Sequence, residues 1–303
     1  MKIGTPVISV KSLNIRDDCI AVGCEGGKFA VYDVNSKAPI YSFQHSEDVV
    51  IVEQIDSDTL YASTENEIFM HDLRITPNLN SVYQSNSEIN DISANGTLLA
   101  VAKIDGNISL KDKRNFKKGK THPLLPFVPT SIKFLNLDKL AAGYIDTSIG
   151  FWELSKKRFV PFKTPASNSM NPPVVHCLDL FQDYCAVARQ DGLAVFKDGK
   201  LIIDNKFLHE GAVETVTFAP CFDSTTIISG ANDGSVMAFD LEKLAPIDCL
   251  TVDSEKIECV SANKKFISIA DTSEEGNIAI FTPEDFSGEE EDNNEKEEEE
   301  KKE

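Results

Sequence analysis

The sequence has no apolar run that could cross a membrane as a helix, because no window approaches about 18 uninterrupted apolar residues. Its first residues, MKIGTPVISVKSLNIRDD, lack the apolar core and small-residue cleavage site of a secretory signal. The seven cysteines form no C-x-x-C pair and mostly lie in apolar runs, so buried, reduced thiols are expected. These absences predict a protein of the cytoplasm, the nucleus or both.

Motifs that carry chemistry are also scarce. The five histidines show no metal-ligand spacing, none accompanies a serine or cysteine nucleophile motif, and no glycine-rich phosphate loop occurs. The cysteines lack the paired spacing of a zinc site. We therefore expect a protein that is not an enzyme and binds no cofactor or metal.

Negative charge, by contrast, is abundant. The net charge is -19, and residues 284–303, in which acidic residues far outnumber lysines, carry about half of it. This segment has almost nothing to bury and is expected to be a disordered acidic tail. It either keeps the protein soluble or attracts basic partners such as histones and ribosomal proteins. An acidic chain argues against nucleic acid as the main ligand.

A repeat dominates the rest of the chain. Seven copies each contain an alternating run, a run like CIAVGC or IISGAN, a tight turn, and a second alternating run that ends near an acidic residue. Successive turns lie about 39 to 45 residues apart, the period of a β-propeller blade. Turn pairs such as Asp233-Gly234 supply the positive φ of a hairpin. A more variable fourth run, such as PIYSF, follows each copy.

Four short strands cannot bury their faces alone, so the copies must pack sheet on sheet in a closed ring. The predicted fold is all-β: a seven-bladed β-propeller over residues 1–283, with four antiparallel strands per blade and a tail over residues 284–303. Some propellers are hydrolases with carboxylates around the central channel, and this class is the least favoured alternative.

Residues 3–282 resemble the WD-repeat family, which implies a WD40-type β-propeller. In the sixth copy the resemblance implies a hydrogen-bond network of His209, Ser229 and Asp233, and His45 stands at the position of His209 in another copy. The family closes its ring with an N-terminal strand. Residues 1–5 offer only a short one, and the alternative, the segment after Phe281, is disfavoured by Pro283. Degenerate forms of the terminal Trp-Asp pair are Tyr32-Asp33, His71-Asp72, Trp152-Glu153 and Phe239-Asp240.

Two neighbouring copies end their third run with an Asp-x-Arg motif: Asp72 with Arg74, and Asp112 with Arg114. In an extended chain the two side chains project to the same side, so the aspartate can orient the guanidinium toward a partner. In WD-repeat substrate receptors of cullin-4 ubiquitin ligases, this motif docks on the damaged-DNA-binding adaptor. The alternative is a local ion pair that only stabilises the turn.

The longest irregular stretch, residues 161–173, enters the fifth copy at the opposite rim. We hypothesise that Asn171, Pro172 and His176 shape a partner surface there; the alternative is a plain surface loop. The predicted function is a non-catalytic WD-repeat scaffold for proteins, more specifically a substrate receptor of a cullin-4 ligase. The alternative is a chromatin- or ribosome-assembly scaffold that binds basic proteins through the acidic tail and also uses the lysine-rich segments 111–120 and 155–159. These segments either bind an acidic surface, contact RNA or only protect the edge of an outer strand. No membrane partner is expected.

Overall fold

The chain is a ring of seven small antiparallel sheets in the computed structural model, which describes residues 1–14, 16–75, 81–122, 125–163, 174–205, 208–222, 225–252, 254 and 256–286. The predicted all-β seven-bladed propeller is therefore confirmed, and it is consistent with a WD-repeat-type fold. Within the described residues no helix is long and apolar enough to cross a membrane.

Each blade is a meander in which strands that are consecutive in sequence are also neighbours in the sheet. The alternating or fully apolar runs form these strands because each blade is covered on both faces by its neighbours. The first four blades contain β1 (Val7–Ser12), β2 (Cys19–Cys24), β3 (Lys28–Asp33), β4 (Pro39–Gln44); β5 (Ile51–Gln54), β6 (Thr59–Ser63), β7 (Glu67–Asp72), β8 (Ser81–Gln84); β9 (Ile89–Asn95), β10 (Leu98–Lys103), β11 (Ile108–Asp112), β12 (Asn115–His122); and β13 (Pro129–Phe134), β14 (Lys139–Tyr144), β15 (Ser148–Glu153), β16 (Arg158–Lys163).

The last three blades follow the same plan, but the seventh has only three strands of its own. Two short 3₁₀ turns, Glu25–Gly27 and Pro283–Phe286, are the helical segments of the described chain. The strands are β17 (Val175–Phe181), β18 (Tyr184–Arg189), β19 (Gly192–Lys197), β20 (Lys200–Asn205); β21 (Val213–Phe218), β22 (Thr226–Ala231), β23 (Ser235–Asp240), β24 (Ala245–Thr251); and β25 (Ile257–Ala262), β26 (Ile267–Asp271), β27 (Ile278–Phe281).

The N-terminal residues complete the seventh blade. The backbone N–H of Ile278 donates to the carbonyl of Met1 at 2.8 Å, and that of Ile3 donates to the carbonyl of Gly276 at 3.0 Å. Lys2 pairs with Asn277 in an antiparallel bridge, and the Ile3 side chain is buried. Residues 1–4, the closing segment, are thus the short fourth strand that the sequence predicts. The alternative closure through the residues after Phe281 is not used.

The residues after Phe281 pack instead at the junction between the sixth and seventh blades. Phe286 is buried and contacts the rings of Phe222 and Phe281. The described fold therefore reaches Phe286, and the rest of the predicted tail, residues 287–303, lies outside the described residues.

The core is divided into seven hydrophobic clusters, each lying between two adjacent blades. One cluster joins the seventh blade to the first, where Ala270 and Ile278 pack with Val10 and Ile20. The other six fill the remaining junctions in order. Because every junction is apolar and the last one meets the first, burial of these faces favours the closed ring over any open form.

Hairpin turns between the second and third strands carry the positive φ angles that the sequence predicts at most copies. Gly234 has a φ of 77°, and a Cβ atom there would lie 2.1 Å from the carbonyl oxygen of Ser254. Thr147 adopts a φ of 74° at the corresponding turn of the fourth blade. In the second blade neither Glu65 nor Asn66 has a positive φ, so that turn follows a different path.

The meander places its connections on two opposite faces of the ring. Connections from first to second and from third to fourth strand lie on one face, which we call the lower rim. Connections from second to third strand and from one blade to the next lie on the other face, the upper rim. The first strands β1, β5, β9, β13, β17, β21 and β25 contact one another in sequence and surround a central channel.

Candidate functional site

The lower rim carries the first Asp-x-Arg motif where β7 ends. The Asp72 carboxylate accepts hydrogen bonds from Nε and Nη2 of Arg74 at 2.8 and 2.7 Å and from the Arg74 backbone N–H at 3.0 Å. The Arg74 side chain remains 64% exposed, whereas the Asp72 side chain is 19% exposed. The carboxylate therefore fixes the guanidinium plane while the cation faces solvent.

The second motif repeats this geometry one blade away. At the end of β11, Asp112 accepts from Nε and Nη2 of Arg114 at 3.2 and 3.1 Å and from its backbone N–H at 2.9 Å. The Arg114 side chain is 76% exposed. Among the described residues, no acceptor is bonded to Nη1 of either arginine, so both guanidinium groups keep free donors on the same rim.

Arginine at this position distinguishes these two blades. Four third strands end in aspartate, at Asp33, Asp72, Asp112 and Asp240. In the first and sixth blades that carboxylate likewise accepts backbone N–H groups of the following turn, including those of Ser36 and Glu242, but no arginine follows it there. The aspartate alone is therefore a turn-forming residue, and the exposed arginine is an addition that turn formation does not require.

Electrostatics keep both motifs ionised. The hydrogen bonds from Arg74 lower the pKa of Asp72 to about 2, and the hydrogen bonds from Arg114 lower the pKa of Asp112. The same hydrogen bonds raise the pKa of Arg74, with smaller contributions from the charges of Asp58 and Asp56. Neither ion pair changes its charge at physiological pH.

The loop next to Arg74 is itself fixed. The Leu73 backbone N–H donates to the carbonyl of Asp58 at 2.7 Å, and the Asp58 carboxylate pairs with Nη2 of Arg16 at 2.5 Å. Arg16 lies on the first blade, so the ion pair ties two blades together along the lower rim. The first Asp-x-Arg motif is thereby held by contacts on two sides.

His176 lies on the upper rim, at the start of β17. Its Nε2 is 3.0 Å from Oε1 of Gln190, and its Nδ1 is 3.4 Å from the Glu214 carboxylate of the next blade. Glu214 also lies 3.8 Å from Nζ of Lys256. The structure thus places His176 opposite the arginine motifs, as predicted, in a polar bridge between blades. Asn171 and Pro172 lie outside the described residues.

The central channel contains ionisable residues that no sequence motif indicates. Lys133 on β13 faces it, together with Glu53, Asp91 and Asp179 from three other blades, in a cavity of about 340 Å³. The sequence does indicate these positions, because each of the four charged residues interrupts the apolar pattern of a first strand. Which of these side chains meet depends, however, on the closed ring.

Every channel carboxylate is already engaged. Asp91 accepts from the Ile132 N–H at 2.7 Å and Ser131 Oγ at 3.0 Å, both on the next blade. The same blade-to-blade bond recurs around the ring. Other side chains that accept a backbone N–H from the next first strand are Ser9 from Val52, Glu53 from Ala94, Ser93 from Phe134, Ser131 from Leu178, Asp179 from Phe218, Thr215 from Val260 and Ser261 from Ser12.

Charge balance in the channel sets the pKa directions. Burial raises the pKa of Glu53, but the positive charges of two lysines outweigh this effect, so the pKa is lowered overall. The lysines are Lys11, whose Nζ is 3.0 Å from the Glu53 carboxylate, and Lys133. Burial lowers the pKa of Lys133, but the surrounding carboxylates outweigh it and raise that pKa overall. Burial raises the pKa of Asp91. The ammonium of Lys133 thus offsets the negative charge gathered in the channel.

The predicted network of the sixth blade is present. His209 is hydrogen-bonded to Ser229 Oγ at 2.7 Å and to Ser235 Oγ at 2.5 Å, and Ser235 in turn donates to Asp233 at 2.5 Å. Asp233 is therefore reached through Ser235, a residue that the sequence did not single out. All of these contacts lie inside the blade and stabilise it.

His45 behaves differently from His209. Its Nε2 lies 3.1 Å from Nε2 of His71, which occupies the tryptophan position of the second blade, and His71 Nδ1 lies 3.0 Å from the Tyr41 hydroxyl. Burial lowers the pKa of His45 to about 4 and that of His71 to about 3. Both rings are neutral at physiological pH and pack among aromatic side chains, including Phe29 and Phe69.

Among the residues that the structure describes, no group of three or more His, Cys, Asp or Glu side chains is placed to hold a metal ion. The chain matches no model of a known protein family, and no curated protein matches it. What the structure shows is the propeller itself, an architecture that fits a protein-interaction scaffold.

Proposed function

We propose that this propeller is a non-catalytic scaffold and, more specifically, a substrate receptor of a cullin-4 ubiquitin ligase. One observation carries the proposal: two exposed guanidinium groups, each fixed by its own aspartate, lie on the same rim of adjacent blades. Arginine forks oriented in advance lose little entropy when they bind a planar acceptor. In this role Arg74 and Arg114 bind the damaged-DNA-binding adaptor, and the upper rim binds the target.

The channel supports a non-catalytic role. Glu53, Asp91 and Asp179 each accept a backbone N–H from the next blade, so each has a structural role that does not involve a substrate. These carboxylates join the blades. We propose that the protein acts in the cytoplasm, the nucleus or both, where cullin-4 ligases assemble.

The finer family assignment is likewise a proposal. We propose a likeness to WD repeat-containing protein 53, which rests on the segments EINDIS (88–93), HEGAVETVTF (209–218) and NPPVVHCLDL (171–180). Blades resemble one another by necessity, so the irregular stretch that precedes β17 discriminates better than the blades themselves.

Affinity purification from cells tests the ligase role. The variant Arg74→Ala plus Arg114→Ala should lose the adaptor. A matched control, Lys156→Ala plus Arg158→Ala, removes the same charge from the neighbouring blade and should retain the adaptor. A second variant, Arg74→Lys plus Arg114→Lys, keeps the charge but loses the planar fork and should also bind poorly. Equal recovery of the adaptor by all three variants would eliminate the ligase role.

The same purification addresses the alternative scaffold that binds basic proteins. Deletion of residues 287–303 removes most of the acidic tail while leaving the buried Phe286 in place. Under the chromatin- or ribosome-assembly role, histones or ribosomal proteins should disappear with the tail, whereas the arginine variants should retain them.

A further inference from the structure

Six blades share one backbone feature on the upper rim. The residue that follows the second strand donates its N–H to the carbonyl of the residue just before the first strand, at 3.0 to 3.3 Å. These six residues are therefore structurally equivalent, and all are exposed. They are Glu25, Ile104, Ile145, Gln190, Asn232 and Thr272.

Four of the equivalent residues are polar, as an exposed turn favours, and two are isoleucines. Ile104 is 48% exposed and Ile145 is 46% exposed, and the two lie on neighbouring blades. Since the polar residues form the same backbone bond, the fold does not require isoleucine here. A single exposed apolar side chain is ordinary, but two at equivalent adjacent positions form a patch.

The two isoleucines line one groove of about 580 Å³. Ile51, Ile89 and Val128 form its apolar wall, and Phe127, which is 38% exposed, directly precedes Val128 in the chain. The groove is open at the upper rim, beside the mouth of the channel, and spans the second, third and fourth blades.

Carboxylates border this apolar surface. Glu65 and Glu88 line the groove and are exposed, and among the described residues neither has an ion-pair partner. No lysine or arginine lines the groove within the described chain. An occupant must therefore supply both apolar area and positive charge. The acidic residues 287–303 of this chain do not fit, because like charges repel.

We propose that the groove formed by Ile104, Ile145, Glu65 and Glu88 is a docking site for a basic peptide segment of a partner protein that carries an apolar anchor residue. The inference rests on the proposed role of the propeller as a protein scaffold, and it specifies the class of target that the upper rim takes. The anchor buries the isoleucines, and adjacent lysine or arginine side chains pair with the two glutamates.

Selection from a library of random peptides on the purified full chain provides the probe. Peptides in which a large apolar residue lies next to lysine or arginine should be enriched, and the affinity of one such peptide is then measured by calorimetry. The variant Ile104→Ser plus Ile145→Ser should bind it at least about tenfold more weakly. The matched control is Ile40→Ser plus Ile202→Ser, which alters isoleucines that are 48% and 41% exposed on outer strands and should bind normally.

Charge is tested separately with Glu65→Gln plus Glu88→Gln. This variant should bind the peptide about threefold more weakly, and the remaining affinity should depend less on salt. Serine in place of the anchor residue in the peptide should have the larger effect.

Several outcomes would overturn the proposal: no enrichment, enrichment of acidic peptides, or binding that survives the isoleucine substitutions. Self-association of the chain that Ile104→Ser plus Ile145→Ser abolishes would identify the groove as an interface between copies instead. Arg74→Ala plus Arg114→Ala should bind the peptide normally, so a failed adaptor purification and a failed peptide experiment can be told apart.

Discussion

On the lower rim, exposed arginines are held by carboxylates, whereas on the upper rim exposed isoleucines lie beside carboxylates that have no ion-pair partner among the described residues. Both rims arise from the same hairpin geometry, and in both cases two neighbouring blades depart from the residue types of the others. Arg74 and Arg114 occupy equivalent positions, as do Ile104 and Ile145. Repetition of the blade makes such departures visible, because the remaining copies show what the backbone itself requires.

Opening the ring should have the largest effect, since it disturbs both rims at once. Deletion of residues 1–5 removes the backbone bonds to Gly276 and Ile278 and the buried Ile3 side chain. We expect unfolding in urea to show a loss of about 4 kcal/mol. Deletion of residues 287–303 is the control and should leave stability unchanged. A ring that keeps full stability without residues 1–5 would show that closure does not depend on them.

Acid should destabilise the junction between the first two blades. Burial depresses the folded-state pKa of His45 to about 4 and of His71 to about 3, below the ordinary value of 6.5. The stabilisation from neutral histidine is complete above pH 6.5 and is lost as the pH falls toward 4. We expect a loss of about 2 to 4 kcal/mol over that interval. In His45→Phe the dependence should be shallower when thermal unfolding is followed across pH.

Removal of the positive charge from the channel should affect binding at both rims equally. In Lys133→Met, the three surrounding carboxylates lose their shared cation, and stability at pH 7 should fall by about 2 kcal/mol. Without the ammonium the folded-state pKa values of Glu53 and Asp91 rise, so the deficit should shrink as the pH falls from 7 to 5. Lys120→Met, on an exposed outer strand, serves as the control. A loss of binding on one rim alone would contradict the structural role of the channel.

The substitution with the smallest expected effect on stability distinguishes most clearly between binding at the two rims. Asp72→Asn plus Asp112→Asn keeps both arginine charges but weakens their fixation, and fold stability should not change measurably. Adaptor affinity should fall about tenfold because the guanidinium groups must then be ordered on binding. Affinity for the groove peptide should be unchanged. If adaptor binding is unaffected, orientation by aspartate is irrelevant to docking.

The blade repeat, the hairpin turns and the Asp-x-Arg pairs were predictable from the sequence because each depends on residues close together in the chain. The network at His209 was predicted by resemblance, and only Ser235 was missed. Contacts between blades were not predictable in the same way. The Tyr41 hydroxyl meets His71, and Lys133 approaches Asp91, only because neighbouring blades pack in a particular register in the closed ring.

The groove illustrates the same limit. Ile104 and Ile145 precede turn residues in two copies, and nothing local distinguishes them from core isoleucines at nearby positions. The backbone bonds of six blades identify the equivalent position, and only then does the contrast with Glu25 or Asn232 become apparent. Exposure, rather than residue type, marks these isoleucines as candidates for binding.

A reconstitution from purified components tests most directly the claim that the two rims bind different partners independently. The full chain, the damaged-DNA-binding adaptor and a peptide selected on the groove are mixed, and the complex is measured by analytical ultracentrifugation and peptide titration. We expect a ternary complex in which the adaptor leaves the affinity for the peptide unchanged. Mutual exclusion of adaptor and peptide, or failure of the adaptor to bind at all, would contradict this expectation.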